Sequence, residues 1–395
     1  MAVLDIVIEI LGWIAKILTG YTAVMSIFFL LPRKRYASVP AKTRFAVLIP
    51  SRNEENVIGA LVRSLQNQDY PQELFDIIVI PNNCTDDTEG AALRAGAKIM
   101  HYPGKVRTKG QVLHKVLKLL AGQYDAYCVL DADNLVNNHF LSAMNDAIAA
   151  GAKVAKSRQC ALNPYDNWVS GMYDLYFQSI NLLYSRSRES FGLSAKLIGT
   201  GFMVTDAFLQ KLGGWNTKTL TEDIEFACMS AMAGERVYYV PDAVNYDEEP
   251  TSFAVSMYQR HRWSAGVQSV ANHYAHKLLF MRPSWLRWDL AIHILAIYAQ
   301  LLALIPVLYS LITQGIVASL TTLGVALGGF VVSGMLLGLF LCLTAGRDLK
   351  RQWRAVVLYP LYLGSWYPLH IWALFSKPKI WKPIAHGNAK FRKKS

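Results

Sequence analysis

Phe45-Ala46-Val47-Leu48-Ile49-Pro50-Ser51-Arg52-Asn53-Glu54-Glu55 decides how this chain is read: an apolar run stops at a proline and turns abruptly polar. So short an apolar run suits a strand buried on both faces, as in a parallel sheet. A helix is expected next, from about Glu54 to Gln66. The same pattern recurs downstream. Ile77-Ile78-Val79-Ile80 runs into Pro81-Asn82-Asn83-Cys84-Thr85-Asp86-Asp87, and Tyr127-Cys128-Val129-Leu130 runs into Asp131-Ala132-Asp133. Between them the sequence predicts a helix through Ala91-Ala92-Leu93, a short strand at Lys98-Ile99-Met100 and a helix after Lys109. Strands alternating with helices over residues 44–245 predict a doubly wound, Rossmann-like α/β domain. Ligands in such sheets bind beyond the carboxyl ends of the strands, which is where the polar residues fall.

Asp131 and Asp133, spaced by one residue past a buried strand, can hold a hard divalent cation against a diphosphate, because such ions prefer oxygen ligands. An acidic turn with no ligand is the plainer alternative. No GxGxxG or GxxxxGK[ST] occurs, so dinucleotide and P-loop phosphate cradles are missing. Lys109-Gly110 before a helix can set a cation near a phosphate. Farther on, Gly199-Thr200-Gly201 and Gly213-Gly214-Trp215 form turns that let a ligand approach the backbone. Thr221-Glu222-Asp223 reads as a helix start, with Thr221 as cap and two carboxylates complementing the dipole, and is compatible with catalysis. In Gln259-Arg260-His261-Arg262-Trp263, helical spacing sets Gln259, Arg262 and Trp263 on one face. Arg grips diphosphates and Trp stacks on sugar rings, while Arg260 and His261 point elsewhere.

Of the 395 residues, 53% are hydrophobic and 17% charged, too apolar for an ordinary soluble enzyme. The net charge of +12 lacks aromatic-interleaved basic tracts, which argues against nucleic acid. Cys84, Cys128, Cys160, Cys228 and Cys342 have no metal-ligand spacing and read as free thiols. Leu11–Leu31 is a candidate anchor closed by Pro32-Arg33-Lys34-Arg35, a cluster that puts the following domain in the cytoplasm. Leu290–Ile312 and Ile316–Thr344 are two further spans. Ala355–Phe375 permits a third, although Pro360, Gly364 and Pro368 would bend it and a basic tail follows. Asn167–Arg186 and Ser252–Gln268 read as interfacial helices, the first equally as a helix packed on the core. The expected division is an N-terminal transmembrane helix (1–32), a catalytic domain (33–245), interfacial helices (246–289), a C-terminal transmembrane region (290–376) and a basic tail (377–395).

Asp131-Ala132-Asp133, Thr221-Glu222-Asp223 and Gln259-x-x-Arg262-Trp263, in that order on an α/β domain flanked by spans, resemble the membrane-integrated family-2 glycosyltransferases. The nearest branch is the processive β-polysaccharide synthases of cellulose, chitin, hyaluronan and poly-N-acetylglucosamine. The resemblance covers residues 44–270 by motif. It implies a GT-A domain that binds a UDP-sugar with Mg²⁺ or Mn²⁺, Asp133 on the metal and Asp131 against the nucleotide or donor sugar. Pro50, Arg52, Glu54, Asn82, Lys109 and Arg262 are then expected on the donor side. Asp223 is implied as the general base, and Gly199, Thr200, Gly201, Glu222, Gln259 and Trp263 as the acceptor side. The family commonly has Asp where this chain has Asn82, so nucleotide recognition falls to an uncharged amide, with Asp86 or Asp87 as substitutes.

The implied activity is inverting transfer to a growing β-linked polysaccharide, coupled to its translocation, in a bacterial plasma membrane with the catalytic domain cytoplasmic. A path through three or four spans would call for a partner or a homo-oligomer. One alternative keeps the chemistry but adds one or a few sugars to a membrane lipid. Another, of a different class, is a nucleotide-binding membrane transporter or scaffold.

Overall fold

The computed structural model describes residues 2–376 apart from 34, 105 and 314, so the basic tail at 377–395 lies outside the described residues. The chain forms two compact units. One comprises Leu31–Leu162 and Tyr184–Glu248. The other comprises the described residues up to Leu30, Asn163–Leu183 and the described residues from Glu249 onward.

The first unit is a mixed sheet of β1 (Phe45–Ser51), β2 (Phe75–Pro81), β3 (Lys98–Ile99), β4 (Ala126–Val129), β5 (Leu135–Val136), β6 (Val154–Ala161), β7 (Phe202–Thr205) and β8 (Val237–Asp247). Its spatial order is β3-β2-β1-β4-β7-β6-β8-β5. β1 pairs parallel with β2 and β4, and β2 with β3, so this half is the expected Rossmann-like arrangement. β7 then enters antiparallel between β4 and β6. All seven residues of β1 are buried, as its unbroken apolar run requires. Val47, Ile49, Val79, Cys128 and Leu130 pack there with Leu61 and Val62 of the next helix. That helix is Ile58–Gln66 rather than starting at Glu54, and β1 runs through Pro50 instead of stopping at it. The polar residues 52–56 are thereby freed to form a loop beyond the strand. The strand order reverses direction from β1 to β4, and the crevice at that switch point is where a ligand belongs.

The second unit is helical. Among the described residues, Trp285–Thr313 and Val317–Thr344 are long and apolar enough to cross a membrane. Ala2–Ile27 runs antiparallel to Trp285–Thr313: Tyr21 donates to Asp289 at 2.9 Å near one end, and Tyr309 donates to Asp5 near the other. Gly12 lies midway, where an added Cβ would come within 3.2 Å of Pro306. Ala355–Phe375 is not one continuous helix. Leu349–Gly364 ends at Ser365, and a separate helix covers Trp366–Phe375. Trp168–Ser179 is buried along most of its length, with Asp174 held bidentately by Arg347 at 2.7 and 2.9 Å. It is a packed helix and not a free interfacial one. Residues 163–183 thus leave the catalytic domain expected over 33–245, because their apolar positions are covered by the helices that follow Glu249.

Candidate active site

Loops at the ends of β1 and β2 meet through side-chain hydrogen bonds. Asn53 takes a positive φ of 60°, which Asn tolerates, and its Oδ1 accepts the Thr85 N–H at 2.8 Å. The Glu54 N–H donates to Thr88 Oγ1 at 2.8 Å. Glu54 is buried, and this burial, followed by the charges of Asp133 and Asp131, pushes its carboxyl up to about 9. At the end of β2, Asn82 is also buried. Its Oδ1 accepts from Tyr102 and Asn83, both at 2.8 Å, while its Nδ2 has no partner. The site therefore keeps one buried amide donor where the family's acid would sit. Asp86 accepts from the Glu55 N–H of the loop after β1, at 3.1 Å, and from Thr88 of its own loop, and Asp87 pairs with Arg94 at 2.7 Å.

Lys109, at the start of the helix Lys109–Leu120, points inward. Its Nζ lies 2.5 Å from Asp131 Oδ1 and donates to the Gly199 carbonyl at 2.7 Å. The Gly199 N–H in turn donates to Asp223 Oδ2, and the Ile224 N–H donates to Asp223 Oδ1 at 2.7 Å. Lysine, metal-type carboxylate, glycine turn and proposed base thus form one bonded chain. Asp223 opens the helix Glu222–Met232 as expected, but Thr221 does not cap it, for its hydroxyl has no partner. Burial raises the Asp223 carboxyl above the ordinary range, against the two N–H groups and the Lys109 charge, which lower it. Burial, and next the charge of Asp223, push Glu222 up to about 7, with Lys109 opposing them. A carboxylate held in this balance can take a proton near neutral pH.

Asn134, directly after Asp133, was not among the expected residues. Its Oδ1 accepts from Thr200, whose Oγ1 accepts the Asp131 N–H at 2.9 Å. Its Nδ2 donates to Asp133 at 3.2 Å and to Asp247. Asp247 ends β8, and burial, then Asp133 and Asp131, raise its carboxyl well above the usual range. The acidic run at that strand end was the signal available for Asp247; for Asn134 it was adjacency to the carboxylate pair. Thr200 and Gly201 are buried, so only Gly199 of that turn is accessible to an acceptor. A Cβ on Gly201, at φ 64°, would collide with Ser157 and Asn245. Trp215 is core, stacked 4.1 Å from Phe226 and 5.6 Å from Phe202.

Gln259, Arg262 and Trp263 belong to the helical unit, on the helix Phe253–Phe280. Tyr173 donates to Gln259 Oε1 at 2.8 Å, and Trp263 stacks near-parallel on Trp366 at 6.5 Å. Arg260 and His261 face inward, as their spacing predicts, and Arg260 bonds the Tyr362 carbonyl and Ser365.

The carboxylates near Asp133 suit a divalent cation. All offer oxygen, and they push one another's proton affinities upward, which a bound cation relieves. Among the described residues no cage of three or more His, Cys, Asp or Glu ligands occurs. That fits an ion taking one or two carboxylates and completing its shell from diphosphate and water, as Mg²⁺ does.

The sequence profile described as "Glycosyltransferase like family 2" matches residues 40–266. "Probable glycosyltransferase YdaM" of Bacillus subtilis is 28% identical over 62% of this chain and 60% of its own length. "Beta-monoglucosyldiacylglycerol synthase" of Nostoc is 26% identical over 92% of this chain and 80% of its own. Among solved structures, "Mannosyltransferase PcManGT from Pyrobaculum calidifontis in complex with GDP-Man and Mn2+" shares the fold at a TM-score of 0.60. That likeness covers 92% of this chain and 99% of the other at 18% identity.

Proposed function

Because the chain belongs to glycosyltransferase family 2, we propose that it transfers a single sugar from a nucleotide-diphosphate donor to a lipid in the membrane that holds it. It is a glycosyltransferase on a GT-A-like α/β fold. The observation carrying the lipid acceptor is the reach of the likeness to the diacylglycerol glucosyltransferase, which at 92% of the chain runs beyond the family match into the apolar helices. Diacylglycerol offers one primary hydroxyl at the membrane surface, the acceptor chemistry that such helices suit. In this reading Ala2–Ile27, Trp285–Thr313 and Val317–Thr344 cross the bilayer, the first because it follows the second along its length.

Asp223 is the base. The acceptor oxygen bonds to the anomeric carbon from the face opposite the diphosphate, the bond to the diphosphate oxygen breaks, and the proton passes to Asp223, inverting the configuration. Lys109 holds Asp131 and Gly199 together, so that Asp223 keeps its N–H contact with the turn during the transfer. Asp133 would hold the divalent ion, and what the ion supplies when bound is neutralisation of charge on the leaving diphosphate. The free Nδ2 of Asn82 is assigned to a nucleotide carbonyl.

The polysaccharide reading survives as a second one, favoured by the Trp263–Trp366 stack beside Gln259, a platform of the kind on which sugar rings sit. One assay separates the two. Purified protein is given labelled UDP-glucose, UDP-N-acetylglucosamine or GDP-mannose with diacylglycerol vesicles, and the product is sized. A single labelled lipid is expected. A long polymer would replace the proposal with the second reading, and the absence of turnover with every donor would overturn both.

A further inference from the structure

We propose that the start of the helix Leu349–Gly364 is a docking surface for anionic phospholipid headgroups, on the membrane face where the span Val317–Thr344 ends. Lys350, Arg351 and Arg354 are exposed, and among the described residues none has a carboxylate partner. Arg347 just before them is spent on Asp174, so the cluster is what remains of the basic loop. Its arrangement is prepared. The Arg351 guanidinium lies over the Tyr165 ring at 4.0 Å, and the Tyr165 hydroxyl accepts the Asp348 N–H at 3.1 Å. A guanidinium fixed this way presents its fork to a phosphate with little ordering cost.

The same helix face changes character along its length in the order a bilayer changes. After Lys350 and Arg351 come Trp353, 51% exposed, and Arg354, then Val357 at 42% and Leu361 at 49%. Phosphate, interface and hydrocarbon select those residue types in that sequence. The depth agrees with the neighbouring span. Gly338 faces Tyr359 and Val356, Gly334 faces Pro360, and Phe330 lies 3.5 Å from the position a Cβ on Gly364 would take. The two helices are therefore antiparallel, and Gly364 lies about 20 Å up the span from Thr344. This leaves Lys350 level with the end of the apolar stretch and Arg354 about one turn inside it, within a side chain's reach of the headgroup phosphates. An acidic protein partner would account for the cations but not for the apolar residues exposed on the same face.

The proposal rests on the reading that Val317–Thr344 crosses the bilayer. The test uses the full chain in nanodiscs of phosphatidylcholine with phosphatidylglycerol, retained lipids being counted by native mass spectrometry after detergent transfer. Phosphatidylglycerol is expected to be enriched over its share in the disc. Combining Lys350→Ala, Arg351→Ala and Arg354→Ala should cut that enrichment by at least about tenfold. Lys350→Arg with Arg351→Lys and Arg354→Lys should preserve it. No enrichment in the unaltered protein, or equal enrichment in the alanine variant, would overturn the proposal. Alkaline carbonate extraction of native membranes is run in parallel. Release of the protein would overturn the span and the proposal together, whereas retention without enrichment overturns the proposal alone.

Discussion

Asp223 holds a charge in surroundings that resist it, and its neighbours decide at which pH it can act. Asp223→Asn keeps the side chain's shape but cannot take a proton, so transfer should fall by about 10²–10⁴-fold with UDP binding retained. Near-normal turnover in that variant would remove Asp223 as the base. Both Asp223 and Glu222 have carboxyls raised by burial, Glu222 to about 7, so protons return to them at a higher pH than to ordinary acids. The turnover rate should therefore fall on acidification at a higher pH than an ordinary carboxylate base would give, and Lys109→Met, which removes a charge that lowers both, should move that fall to still higher pH. Profiles of kcat against pH check this, and an unmoved acid limb in the variant counts against the bonded chain. Asn134→Leu has nearly the same volume but removes one hydrogen bond from each of Thr200, Asp133 and Asp247, at about 1–3 kcal/mol for the buried Thr200. A lower melting temperature and weaker metal-dependent UDP binding are expected by calorimetry; unchanged titrations would make Asn134 incidental. None of this network could be read from the residue order. Asp131, Asp133 and Asp223 stand out by type and spacing, but Asn134 and the free face of Asn82 acquire meaning only from partners distant in sequence.

At the scale of elements, β1 and β4 were legible because an unbroken apolar run has few other uses, whereas boundaries slipped wherever polar residues had two options. Residues 54–57 have helical propensity, yet they form a loop that carries Glu54 beside Asp133. The segment Ala355–Phe375 has a composition compatible with one span, yet it breaks at Ser365, and the half before the break lies against a glycine ladder. Gly334 and Gly338 are four apart on Val317–Thr344, and a Cβ at Gly338 would lie 3.2 Å from Tyr359 and from the Val356 carbonyl. Small residues at that spacing let helices close up without a hydrophobic driving force. Gly338→Val should cost about 1–3 kcal/mol through overpacking. Gly328→Val, where nothing lies within 4 Å, should cost nothing. Thermal unfolding in detergent measures both, and equal melting temperatures would mean that the ladder is not a contact.

For the whole molecule, the chain passes between its two units more than once, so neither is a continuous piece. A chain stopped at Glu248 would keep the sheet but strand the buried helix Trp168–Ser179, whose Asp174 would lose Arg347 and Gln352. Such a fragment is expected to aggregate on sedimentation, and a monodisperse fragment would show that the helix needs no partners. Family, fold class and the identities of the acidic residues were determined by sequence alone, because they depend on local patterns: a strand's period, the residues at its end, and carboxylates a fixed step apart. The family match and the shared fold bore out the family and the fold class, while the similarity to a diacylglycerol glycosyltransferase favours the lipid alternative over the polysaccharide product. Only the tertiary structure decided which carbonyl Lys109 holds, which amide donor Asn82 leaves free and which helices cover residues 163–183. These are contacts between residues up to about two hundred positions apart, and they exist only after the backbone has closed around them.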